Sequence, residues 1–182
     1  MNRKIQLAFI FCLTAFMVNC QSPMEVTRKS THQFPQIKTK TLAGNQMVFP
    51  NDLKGKKSFV AMVFEEGGVY MPPQNQANKW ADFYESAMRE KGVNFYEIPM
   101  MAGGYVLGSW WIDAGMRSGI DPAQHDNVAC FYGNKGKYMK MLNLKSMADA
   151  HMFLLDENGD ILAQVSGNPD LSKKQVFLDA LK

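Results

Sequence analysis

The sequence predicts an α/β fold: a central mixed sheet of about five strands flanked by helices, with a small N-terminal hairpin. Three observations predict it. Strand and helix patterns alternate along the chain, as strand, helix, strand, helix, strand, short helix, hairpin, helix. Two runs, Phe59–Phe64 and Met152–Leu155, contain no polar residue, and a strand apolar on both faces needs a layer on each side. The second run leads into Asp156-Glu157-Asn158-Gly159, where Asn and Gly tolerate the positive φ of a tight turn. Ile161, Ala163 and Val165 then alternate with Leu162, Gln164 and Ser166, the period of a half-buried strand.

The 182 residues suit one domain with a substantial core. Formal charge is +3, and setting aside residues 1–19, which hold Arg3 and Lys4, leaves 18 basic against 17 acidic residues. That balance gives no electrostatic reason to expect nucleic acid. Residues 1–20 read as a secretion signal: Arg3 and Lys4, then an apolar run from Ile5 to Val18 too short to span a bilayer, then Cys20. The order resembles a bacterial lipoprotein leader, with Met17-Val18-Asn19-Cys20 as the processing site and lipid on Cys20. Asn19 departs from the small residue usual before that Cys, and a plain cleaved signal peptide is the other reading. Either way the mature protein is expected to leave the cytoplasm, and with the lipid it belongs to the cell envelope, anchored to a bacterial membrane and facing the periplasm or exterior. Of three cysteines only Cys130 falls in the folded part, so no internal disulfide is expected, and no C-x-x-C occurs.

Residues 21–33 are polar and read as a flexible tether, leaving 34–182 as the domain. Leu42–Phe49 suggests the small hairpin, around Gly44-Asn45. Phe59–Phe64 is a central strand, and Glu65–Pro73, with paired Gly and paired Pro, an irregular loop. Trp80, Phe83, Tyr84, Ala87 and Met88 form one stripe of a helix over about 75–90 that Gly92 ends. Val93–Pro99 alternates as a strand. Leu107, Trp110, Trp111 and Ala114 mark a helix ending near Gly119. Asn127–Tyr132 is a third strand and Lys135–Leu142 a short helix. After the hairpin, Ser172 and Gln175 form a capping box for a last helix carrying Val176, Phe177, Ala180 and Leu181.

Phe153-Leu154-Leu155-Asp156-Glu157-Asn158-Gly159-Asp160-Ile161 resembles the F-L-[IL]-D-x-x-G-x-I hairpin of thioredoxin-like thiol oxidoreductases and peroxiredoxins. Lys57–Phe64, with the loop and helix after it, is similar to the strand leading to their active site. Tyr132-Gly133, Tyr138, Leu142 and the hairpin resemble, more closely, the C-terminal half of the mitochondrial ATP-synthase assembly-factor family. Gly115-Met116-Arg117 and Leu53-Lys54-Gly55-Lys56 fit it loosely, and Leu162-Ala163 depart from the basic and aromatic pair usual there. The resemblance implies a thioredoxin-like fold over 34–182 and an assembly role. Two devices of the redox members are missing. The loop after the first core strand has no cysteine to be activated at a helix N-terminus, and Asp149-Ala150-His151 stands where those members place a cis-proline.

The remaining candidates are weighed residue by residue. Cys130, in the apolar run Val128–Tyr132, is read as a buried packing residue, with a reactive lone thiol as the alternative. His151 borders the edge where an active site would lie, though a His at a strand end is more often hydrogen-bonded structure. Fourteen Met invite a Cu(I) reading through thioether ligands, but Met100, Met101, Met139 and Met141 equally suit core gaps, and no paired-His or C-x-x-C zinc spacing exists. Asp156–Asp160 lacks the Gly and Glu of a calcium loop, and Gly133–Tyr138 fails as a phosphate loop. Trp110 and Trp111 are about 100° apart on a helix; core packing is the ordinary reading and an exposed partner surface the sharper one. The expectation is a redox-inactive thioredoxin-like lipoprotein acting in binding or assembly, without cofactor. It would meet a membrane through its lipid anchor and an unidentified protein partner through Glu66, Tyr70, Met71, Trp110, Trp111 and His151. A Cys130-dependent oxidoreductase or peroxidase and a Met/His copper chaperone are the alternatives.

Overall fold

The structure is a computed structural model that describes residues 27–28, 32–65 and 72–182. Its strands are β1 (Thr27–Arg28), β2 (Ile37–Thr41), β3 (Gln46–Phe49), β4 (Ser58–Phe64), β5 (Asn94–Ala102), β6 (Ala129–Gly133), β7 (His151–Leu155) and β8 (Ile161–Ser166). Its helices are α1 (Pro72–Ala87), α2 (Ser109–Gly119), α3 (Lys135–Met141) and α4 (Leu171–Ala180). All strands join one sheet in the order β1-β8-β7-β4-β5-β6-β2-β3. β5 is parallel to β4 and β6, while β7 and β8 are antiparallel to their neighbours.

The expected five strands are the middle of this sheet, β8-β7-β4-β5-β6. The expectation undercounts the whole. The small hairpin is not separate, because Lys40 and Thr41 of β2 pair with Cys130 and Ala129 of β6. Thr27 and Arg28, inside the segment read as a tether, pair with Gln164 and Ala163 of β8.

Every residue of β4 is buried, and its alternate side chains feed two cores. On one face Val60, Met62 and Phe64 pack with Ile98, Met100, Phe153 and Leu155, beneath Phe34, Phe49, Tyr138 and Leu142. On the other face Phe59, Ala61 and Val63 pack with Met152, Leu154, Ala163 and Val165, beneath Trp80 and Phe83 of α1 and Phe177 of α4. Phe59 is the hub of that side. Its ring meets those of Phe177, Trp80 and Phe83 at 4.9, 6.2 and 6.4 Å, edge to face. The Trp80 indole N–H donates to the Gly167 carbonyl at 2.8 Å, so the largest core side chain leaves no polar atom unpaired.

Four element boundaries differ from the sequence expectation. Pro72 and Pro73 open α1 instead of ending the loop, since first-turn amides have no helical acceptor to lose. α1 stops at Ala87, and a 3₁₀ turn, Arg89–Lys91, carries the chain to Gly92 at φ 74°. β5 continues through Pro99 to Ala102. The bridge from Glu97 to Val128 and the pair Met100–Phe131 share one register, which sets Pro99 opposite Cys130. The missing N–H therefore interrupts only the β6 ladder, and pairing with β4 runs on unbroken. Finally, Asp170 caps α4, its Oδ1 accepting from the Lys173 amide at 2.9 Å, while Gln175 reaches forward to Asp179.

The outer edge of the sheet is β3. There the Val48 amide donates to Asp52 Oδ2 at 2.7 Å, so a side chain takes the place of a further strand. Replacing Phe59 by Ala is expected to destabilise the domain by about 3–5 kcal/mol, because three aromatic neighbours cannot all collapse into the void. Urea unfolding of the two proteins measures the difference.

Candidate functional site

The carboxyl ends of β4, β5 and β6 lie side by side and are tied together. The Glu65 amide donates to the Met100 carbonyl at 3.2 Å. The Lys135 ammonium, in the first turn of α3, donates to the Glu65 carbonyl. A Cβ on Gly103 would lie 3.6 Å from the Gly133 Cα, so the chain leaving β5 passes close over the chain leaving β6. From there β5 runs into a 3₁₀ segment, Gly103–Gly108, and then α2.

No residue of that 3₁₀ segment or of α2 is buried. Trp110 and Trp111 are each 71% exposed and Leu107 is 89% exposed, with Tyr105 and Val106 exposed beside them. The stripe Leu107, Trp110, Trp111, Ala114 thus faces outward, against the ordinary reading of core packing. α2 is held by a different stripe. Met116 and Ile120 pack on Leu42, Val128 and Cys130, and Asp113 Oδ1 accepts from the Tyr132 hydroxyl at 2.6 Å. Arg117 adds a 3.4 Å bond to the Leu42 carbonyl.

Cys130 lies beneath this stripe, buried, with Sγ 3.5 Å from the Met116 sulfur. Burial first, and the Asp113 carboxylate second, push its thiol well above the usual range, which holds it protonated and poorly nucleophilic. The Tyr132 phenol is raised by the same two causes. Among the described residues no group of three His, Cys, Asp or Glu is placed to hold a metal ion. Met100 and Met101 are core residues, Met139 packs against the core, and Met141 is exposed instead of filling a gap.

His151 does not belong to any surface. It is 1% exposed. Its Nε2 lies 2.7 Å from the Ser146 carbonyl and its Nδ1 2.7 Å from the Ser166 hydroxyl. A carbonyl only accepts, so Nε2 carries the proton and Nδ1 accepts from Ser166. Burial depresses its pKa, since the charged ring has no room for water. This corrects its assignment to the binding surface. Cys20, Glu66, Tyr70 and Met71 lie outside the described residues.

Two residues that sequence reasoning missed complete this side of the sheet. Glu97 of β5 is buried beside α1, with its Oε1 accepting from Gln74 Nε2 at 3.0 Å. Burial raises its pKa and the Gln74 bond opposes that only in part. Gln76 of α1 is also buried, and its Oε1 accepts from the Ala150 amide at 2.8 Å, at the place where a proline was looked for. A charged residue inside the strand pattern Val93–Pro99 was the available signal for Glu97. Gln76 gave none.

No described protein family matches the sequence, and no curated protein matches it. Solved structures do. Thiol:disulfide interchange protein DsbE from Chlorobium tepidum superposes with a TM-score of 0.57 at 19% identity, covering 86% of this chain and all of that one. The fold is thioredoxin-like. The thioredoxin domain of a Bacteroides vulgatus thiol-disulfide oxidoreductase gives 0.56 at 15% identity, over 86% of this chain and 100% of its own. BsSco, of the Sco family of cytochrome c oxidase assembly proteins, gives 0.59 at 11% identity, over 85% and 95%.

The two buried titrating groups act in opposite directions. His151 has a folded pKa below its usual 6.5, so the unfolded chain takes up the proton first and its contribution to stability is lost as pH falls below that value. His151→Gln is expected to flatten the fall in stability between pH 7 and pH 5, measured by urea unfolding at each pH. Glu97 has a folded pKa above its usual 4.5, so its folded form is favoured at low pH and loses that advantage as pH rises. Glu97→Gln is expected to gain stability over the parent at pH 7, with the gap closing towards pH 4.

Proposed function

We propose that this protein is a thioredoxin-like domain of the cell envelope that works by binding or assembly and not by thiol chemistry. It is held at a membrane by lipid on Cys20. The observation that carries the reading is the placement of its thiols. The stretch from β4 to α1, residues 65–72, contains no cysteine, and Cys130 sits on β6 under α2, buried and with its thiol raised. A disulfide exchange needs an exposed thiolate at the point of attack, and Cys130 is neither.

The exposed aromatic surface at the carboxyl end of the sheet supports a binding role, because monomeric domains rarely leave two tryptophans and a leucine together in water. An assembly role is supported by the resemblance of Tyr132-Gly133, Tyr138 and the hairpin to the ATP-synthase assembly-factor family, and by a structural likeness to a Sco protein described as an assembly factor.

In the native full-length protein, iodoacetamide is expected to label Cys130 slowly, located by peptide mass mapping, and quickly once denaturant is added. A disulfide-reduction assay on the same sample is expected to be blank. Fast native labelling with turnover would replace this reading with a one-cysteine oxidoreductase.

A further inference from the structure

We infer that the aromatic end of the domain is seated in the headgroup layer of an anionic lipid bilayer. This rests on the envelope reading above and assigns an occupant to its exposed surface. Three observations lead there.

The first is composition. Tyr105, Val106, Leu107, Trp110 and Trp111 project from one short segment into solvent. Trp and Tyr, apolar in body with one polar tip, are the side chains that favour the boundary between hydrocarbon and water. Leu107 beside them supplies the purely apolar contact.

The second is charge. α3 opens one residue after β6 ends, and its first turn lies where Gly133 meets Gly103 at the root of the aromatic segment. It carries exposed Lys137 and Lys140, followed by exposed Met141, on the face of β6 opposite α2: Phe131 faces α3, and Cys130 and Tyr132 face α2. Of the acids at this end, the Asp113 carboxylate accepts from the Tyr132 hydroxyl. Lysines at the same end of the sheet as an apolar patch suit anionic headgroups, each adding about 1 kcal/mol near such a surface.

The third is where the chain enters. β8 runs in the same direction as β4, from Ile161 to Ser166, and β1 runs against it, Thr27 opposite Gln164 and Arg28 opposite Ala163. β1 therefore begins at the end of the sheet where β4, β5 and β6 finish. Residues 21–26 separate Thr27 from Cys20, a span of at most about 25 Å. α2 packs on β6, and the order β1-β8-β7-β4-β5-β6 places five strand spacings between entry and patch, about 24 Å across. A lipid on Cys20 and the tryptophans can thus meet the same bilayer, and the anchor would present this end of the sheet to it.

The chain contains its own reporter. Of its three tryptophans, Trp80 is fully buried and Trp110 and Trp111 are exposed. The full-length protein, reconstituted in vesicles of phosphatidylethanolamine and phosphatidylglycerol, is compared with the same vesicles carrying lipids brominated near the headgroup end of the acyl chain. Interfacial seating, roughly 5–10 Å deep, predicts a blue-shifted emission and a loss of about half of it to bromine. Trp110→Ser with Trp111→Ser, leaving Trp80 alone, should be unquenched, and Lys137→Glu with Lys140→Glu should reduce the quenching. Unquenched emission from vesicle-held parent protein overturns the inference and leaves the anchor reading standing, as does a protein partner that shields both tryptophans from bromine. The absence of lipid mass on Cys20 removes the anchor reading instead, and quenching that persists without it still supports the bilayer contact.

Discussion

β4 has seven residues and water reaches none of them. That one requirement arranges the rest of the molecule. A strand buried on both faces needs a ladder partner on each side, which β5 and β7 supply, and a lid on each face. α1 and α4 close one face with Trp80, Phe83 and Phe177, and α3 with the β2–β3 hairpin closes the other. Polar groups drawn into this interior had to bring partners with them. Ser166 and Ser146 serve His151, Gln74 serves Glu97, and the Ala150 amide serves Gln76. Among the described residues no buried side-chain nitrogen or oxygen is left without a bond.

Much of this frame was visible in the sequence because it depends on local rules. The β7–β8 hairpin has a two-residue period on one side, a fully apolar run on the other and Gly159 at φ 89° between them, so strands, turn and burial could all be read in advance. α2 shows the opposite case. Its large apolar residues suggested an inward stripe, but the inward stripe includes Asp113, which no hydrophobic pattern would choose. The Tyr132 hydroxyl that accommodates Asp113 comes from a strand whose position is set by tertiary structure. His151 was misplaced for the same reason: both of its partners are serines without a pattern of their own. Pro99 looked like a strand end, and only the register of β6 shows why a proline is tolerated there.

The carboxyl end of the sheet is tied together by Lys135, Glu65 and the close passage of Gly103 over Gly133. The one thiol in the described residues sits a strand away, under a helix that would have to lift before a reagent could reach it. Stability and exposure have been distributed accordingly, with the aromatic segment outside both cores and removable without opening either.

The short β1 has a further consequence. A sheet this wide has two margins, and among the described residues each is closed by short contacts: Asp52 at β3, and along β8 Thr27 and Arg28 with the His32 carbonyl and the Gln33–Asp160 bridge. A protease cutting after residue 28 would leave both cores intact. It would also uncover the β8 backbone around Ala163 and Gln164, where a strand of another copy could pair. Thr27 and Arg28 therefore guard that margin, and trimming the domain to its packed core is expected to favour self-association through β8.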